Sequence, residues 1–171
     1  QSLQCNELEK GYFNSGVLLI NTLAWAQESV SAKAMSMLAD KAVVSRLTYM
    51  DQDILNLILL GKVKFIDAKY NTQFSLNYEL KKSFICPIND ETVLIHYVGP
   101  TKPWHYWAGY PSAQPFIKAK EASPWKNEPL MRPMNSNYAR YCAKHNFKQN
   151  KPINGIMNYI YYFYLKIIKC H

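Results

Sequence analysis

Acidic residues are nearly missing from the last third of this chain, and cysteine is scarce throughout. The four cysteines, Cys5, Cys86, Cys142 and Cys170, lie far apart and form no CxxC pair. That spacing excludes a disulfide scaffold or a cysteine-based zinc site and makes a reducing cytoplasm the natural setting. No window holds eighteen uninterrupted apolar residues, so no membrane-spanning helix is expected. The start, at Gln1, carries no signal-peptide pattern. Disorder is excluded too, because 49% of the 171 residues are hydrophobic and only 19% are charged. The length suits one domain with at most a small appendage.

The shortage of acid is local. Residues 1–118 carry 11 Lys/Arg and 10 Asp/Glu, whereas residues 119–171 carry 9 and 2. Almost all of the net charge of +8 therefore sits in the tail. Such an excess points to an acidic partner: a membrane surface, a phosphorylated glycolipid or nucleic acid. No nucleic-acid-binding motif accompanies the charge, so nucleic acid is not expected.

What is present centres on HYVGPTKPW, His96 to Trp104. The apolar run Thr92 to Ile95 reads as a strand ending at His96, whose neutral ring can ligate a metal. Gly99 lets backbone N–H groups approach a ligand without a Cβ in the way. Lys102 adds a mobile positive charge, and Pro100 and Pro103 stiffen the turn. Together these groups suit a metal-bound diphosphate, although a strand-end loop with an incidental histidine fits the nine residues equally well.

Elsewhere, Val17 to Ile20 reads as a buried strand preceded by the small polar residues Asn14, Ser15 and Gly16. A helix follows over Thr22 to Asp40. A second helix starts at Asp51, with Asp51 as its N-cap, Asp53 in the first turn and Gly61 beyond its end. Val63 to Ile66 would then be another strand. The D-x-D of Asp51-Gln52-Asp53 is not expected to grip one ion, since side chains two apart on a helix diverge by about 200°. Between Lys69 and Glu79 the aromatic and amide mixture suits a sugar surface and an ordinary loop alike. Trp104, Tyr106, Trp107 and Tyr110 form an aromatic run, some of it core. Pro124, Pro129 and Pro133 punctuate a boundary near residue 119, and helices are expected over 136–147 and 153–168. The last is Tyr-rich with Lys166 and Lys169 behind it, which suits a membrane interface as well as docking on the catalytic domain.

YFNSGVLLIN at 12–21, DQD at 51–53 and HYVGPTKPW resemble, in order and spacing, the signatures of glycosyltransferase family 8. SPWKNEPL at 123–130 and AKHN at 143–146 resemble the C-terminal extension of the family's lipopolysaccharide-core glucosyl- and galactosyltransferases. The resemblance implies an α/β fold. Residues 1–118 would be the C-terminal part of a GT-A catalytic domain with a mixed sheet, and residues 119–171 a basic helical extension. It implies retaining transfer of a hexose from a UDP-sugar to the lipopolysaccharide core with Mn²⁺ or Mg²⁺. Asn14, Asp51, Gly99 and Lys102 would hold the donor, Asp51 and Gln52 would act on the sugar, and His96 would bind the metal. The setting would be the cytoplasmic face of the bacterial inner membrane, held by anionic lipid. By resemblance the uridine-binding strands and metal carboxylates lie upstream of this chain, so it is expected to be truncated and inactive alone. A non-catalytic sugar- or membrane-binding module is the alternative.

Overall fold

The computed structural model describes residues 11–168. They divide into two compact units, one ending at Asn71 and one beginning at Thr72. The shift in charge near residue 119 falls inside a helix, because composition reports solvent and partners rather than contacts.

The first unit is helical: α1 (Thr22–Gln27), α2 (Val30–Ala39), α3 (Lys41–Val44) and α4 (Met50–Ile58). The single helix expected over Thr22 to Asp40 is broken at Ser29, which stands at φ +52. Glu28 N–H bonds Ala24 and Ser29 N–H bonds Ala26, closing α1 before α2 begins. Val30 and Ile54 are buried where α2 packs against α4.

Two expected strands do not form. Val17 to Ile20 and Val63 to Ile66 run without strand pairing, and Leu19 is 96% exposed. An apolar run predicts burial, but a strand also needs a neighbour for its N–H and C=O groups. Among the described residues the sheet has only two strands, and neither lies in this unit.

Those strands are β1 (Thr72–Phe74) and β2 (Ile95–Tyr97), paired in parallel with Gln73 opposite His96. The strand expected over Thr92 to Ile95 is thus shifted: His96 sits in its middle, and Val93 is exposed. Phe74 and Leu76, from the stretch read as a sugar surface or loop, pack instead in a core with Ala108, Tyr110 and Ala113. Helices α5 (Gln114–Glu121), α6 (Ser136–Lys148) and α7 (Pro152–Ile168) complete the second unit.

The last two helices lie within a residue of their expected bounds because their ends carry strong signals. The Asn135 side chain accepts from Tyr138 N–H at 2.9 Å and caps α6. Asn150 takes the left-handed conformation at φ +58 that closes many helices, and Pro152 opens α7 with its fixed φ. Gly155 is buried against α6, and a Cβ there would meet the Phe147 ring at 2.6 Å. The aromatic run divides: Trp107 and Tyr110 are buried, Trp104 and Tyr106 exposed.

Candidate functional site

Three of the residues expected to touch the sugar donor come together in the first unit. Gln52 Oε1 accepts from Asn14 Nδ2 at 3.0 Å and from Ser15 N–H at 3.1 Å. Ser15 Oγ lies 3.4 Å from an Asp51 carboxylate oxygen. Asn56 clamps the preceding segment to α4, accepting from Phe13 N–H and donating to Phe13 O, both at 2.8 Å. The polar face of Asn14, Asp51 and Gln52 is therefore built by one helix turn and the chain crossing it.

The cap of α4 is not where the sequence pattern puts it. The helix begins at Met50 with Tyr49 as N-cap, so Asp51 is an exposed second residue rather than the cap. Asp53 does the capping from inside the first turns, accepting from Thr48 N–H at 2.7 Å and Tyr49 N–H at 2.8 Å. Its other oxygen accepts from Tyr12 OH at 2.5 Å. Asp53 is only 4% exposed, and that burial by itself favours its neutral form. Its hydrogen bonds from Tyr12, Tyr49 and Thr48 outweigh the burial, and its pKa lies below the ordinary value. Burial and the Asp53 charge together raise the Tyr12 phenol.

In the second unit, His96, Gly99 and Lys102 share the C-terminal end of β2 and the loop after it. Burial, then the charge of Lys102, lowers the His96 pKa, which keeps the ring neutral and able to ligate near pH 7. Lys102 Nζ donates to Tyr97 O at 2.6 Å, and burial lowers its pKa. Gly99 stands at φ +82, and a Cβ would lie 2.7 Å from Ser75 Oγ. Glycine is thus required there by the backbone and by the end of β1.

Two buried histidines that were not among the expected site residues hold this loop from behind. His105 Nδ1 accepts from Lys102 N–H at 3.1 Å, and its ring stacks on Trp107 with centroids 4.2 Å apart. His145 sits 3.1 Å from Thr101 Oγ1, 3.1 Å from Asn77 Oδ1 and, through Nδ1, 2.7 Å from Tyr110 OH. A neutral ring with its proton on Nε2 satisfies this set, donating to Asn77 and accepting from Tyr110. Burial pushes both histidines down to about 4. The signal for His145 was its place in α6, three residues after fully buried Cys142 and two after fully buried Ala143.

As a metal centre the described residues are incomplete. No group of three or more His, Cys, Asp or Glu side chains that could hold an ion occurs among them. Neutral His96 fits as one ligand of such a centre, not as the whole of it.

The chain belongs to glycosyl transferase family 8: the family model matches residues 1–108, and the family 8 C-terminal model matches residues 110–166. It is 54% identical over 167 residues to a lipopolysaccharide glucosyltransferase of Escherichia coli (strain K12), covering 97% of this chain and 49% of that protein. It is 51% identical over 168 residues to a lipopolysaccharide 1,3-galactosyltransferase of Salmonella typhimurium, covering 98% of this chain and 50% of that protein. The chain thus spans about half the length of these relatives. No solved structure matches it.

Proposed function

We propose that this chain is the sugar-handling and diphosphate-handling part of a retaining hexosyltransferase that moves glucose or galactose from a UDP-sugar to the lipopolysaccharide core. The observation that carries this is the convergence of Asn14, Asp51 and Gln52 at the start of α4. Asn14 and Asp51 are suited to the hydroxyls of a hexose, a donor and an acceptor on neighbouring positions. Gln52 brings the amide dipole of its side chain to a transition state in which the sugar ring becomes positive. Its oxygen already accepts two hydrogen bonds, so Asn14 must exchange its Gln52 bond for any the donor offers that oxygen.

Lys102 and the Gly99 backbone would face the diphosphate, with Lys102 leaving the Tyr97 carbonyl to do so. His96 would be one ligand of Mn²⁺ or Mg²⁺, which supplies charge neutralisation for departing UDP. We read the fold as the C-terminal part of a GT-A domain over residues 1–118, followed by the basic extension 119–171.

The same reading places the extension on an anionic membrane at the cytoplasmic face of the inner membrane. Along α7, Ile153, Ile156, Met157, Ile160, Phe163 and Ile167 recur at helical spacing, and all are exposed. No helix among the described residues is long and apolar enough to cross a membrane, so contact would be along its surface. Tyr159 and Tyr162 are half-buried, with Tyr159 beside Phe147.

The test is transfer by the full polypeptide the gene encodes, given UDP-glucose or UDP-galactose, Mn²⁺ and a truncated core acceptor. Transfer from one of them, weakened by His96→Ala and by Lys102→Ala, is expected. UDP binding without turnover would favour a non-catalytic module.

A further inference from the structure

Resting on the reading of Gln52 as the residue beside the reacting carbon, we propose that Tyr12 is a positioning residue that fixes the Gln52 side chain through a relay anchored on Asp53. The argument is one of donors and acceptors. Gln52 Nε2 donates to Tyr12 OH at 2.9 Å, and Tyr12 OH donates to Asp53 Oδ1 at 2.5 Å. An ionised carboxylate only accepts, and a phenol has one proton to give. Because that proton is committed to Asp53, Tyr12 can only accept from Gln52. The amide must therefore turn its NH2 towards Tyr12 and its oxygen towards Asn14 and Ser15.

Reversing the amide would be unfavourable at both ends. Its oxygen would face a phenol oxygen with no free proton, and its NH2 would face the Ser15 N–H and the Asn14 amide. Asp53 is itself held by Thr48 and Tyr49 N–H, and Asn56 fixes the segment just after Tyr12. The relay thus starts from a buried, helix-capping carboxylate and ends on the one amide of α4 placed against Asn14. A lowered Asp53 and a raised Tyr12 keep this proton arrangement across neutral pH. Tyr12 is bonded to Gln52 and Asp53, so as a positioning residue its effect should appear in turnover more than in donor affinity.

A double-mutant cycle in the full polypeptide the gene encodes tests this, using Tyr12→Phe, Gln52→Ala and the pair, with UDP-hexose transfer as the assay. Tyr12→Phe should lower kcat roughly 10-fold with little change in donor KM, the range seen when an orienting partner is removed. In the Gln52→Ala background it should cost nothing further, whereas a merely structural tyrosine would lower both rates equally. An unchanged kcat for Tyr12→Phe, or equal losses in both backgrounds, overturns the relay while leaving the reading of Gln52 intact. If Gln52→Ala itself turns over normally, that reading falls and the relay with it. Should Tyr12→Phe not fold, NMR of the unaltered protein decides: slow solvent exchange of the Gln52 side-chain NH2 is expected, and free-amide exchange overturns the proposal.

Discussion

Asp51 and Asp53 are two residues apart and have opposite work. Asp51 is exposed and accepts from Ser15 Oγ at 3.4 Å, whereas Asp53 is buried and accepts three hydrogen bonds. Asp51→Asn should leave the melting temperature unchanged while lowering transfer, because only its charge and acceptor set are altered. Asp53→Asn should destabilise by about 1–3 kcal/mol, since the NH2 it places against Tyr12 OH cannot accept that proton and the charge bonded by Thr48 and Tyr49 N–H is lost. Thermal melts and specific activity of the two folded variants check this; a larger melting loss for Asp51→Asn would return it to the role of cap. The motif D-Q-D was legible in the sequence, but which carboxylate caps was not. An N-cap is assigned from the first polar residue before an apolar run, and here α4 starts one residue earlier, at Met50. His105 and His145 add a pH prediction. Both titrate in the fold at about 4, while the unfolded chain protonates its histidines near 6.5. The folded state binds fewer protons between these values, so their contribution is complete above about 6.5 and is lost as pH falls towards 4. Denaturant unfolding across that window should show falling stability, and His145→Gln should flatten the slope; an unchanged slope would mean that His145 is charged in the fold.

Helix α7 has two faces, and each makes its own prediction. Gly155 and Tyr159 face α6, and the Phe147 ring leaves no room for a Cβ at Gly155. Gly155→Ala should therefore destabilise by about 1–3 kcal/mol despite the better helix propensity of alanine, as read from denaturant unfolding. Stabilisation would mean that the helices separate freely at this point. The other face carries the exposed stripe from Ile153 to Ile167 beside the basic excess of the tail. Ile156→Glu with Ile160→Glu should abolish flotation with anionic vesicles and leave the circular dichroism unchanged. Equal flotation of the variant, or binding indifferent to lipid charge, would remove the membrane role. Helices α6 and α7 were legible because Asn135 and Pro152 mark their starts. Val17 to Ile20 and Val63 to Ile66 misled for a physical reason: apolar side chains announce burial, yet strand pairing depends on a neighbour that the described residues do not provide.

At the scale of the molecule there are two local constructions: a polar turn at the start of α4, and a loop after β2 held by two neutral histidines. The first was half legible, since Asn14 and Gln52 were read as site residues while Tyr12, which opens YFNSGVLLIN, was not. The second showed His96, Gly99 and Lys102, but Ser75 and His145 reach this loop only through tertiary packing. The measurement that tests the central claim most directly is the anomeric configuration and rate of hexose transfer. It should be read by NMR of the product formed from UDP-glucose or UDP-galactose and a truncated lipopolysaccharide core, using the full polypeptide the gene encodes. The account predicts a product that keeps the α configuration of the donor, formed at least about 100-fold more slowly with Gln52→Ala, as for loss of a transition-state interaction. A β-linked product, or undiminished transfer by the Gln52 variant, would contradict it.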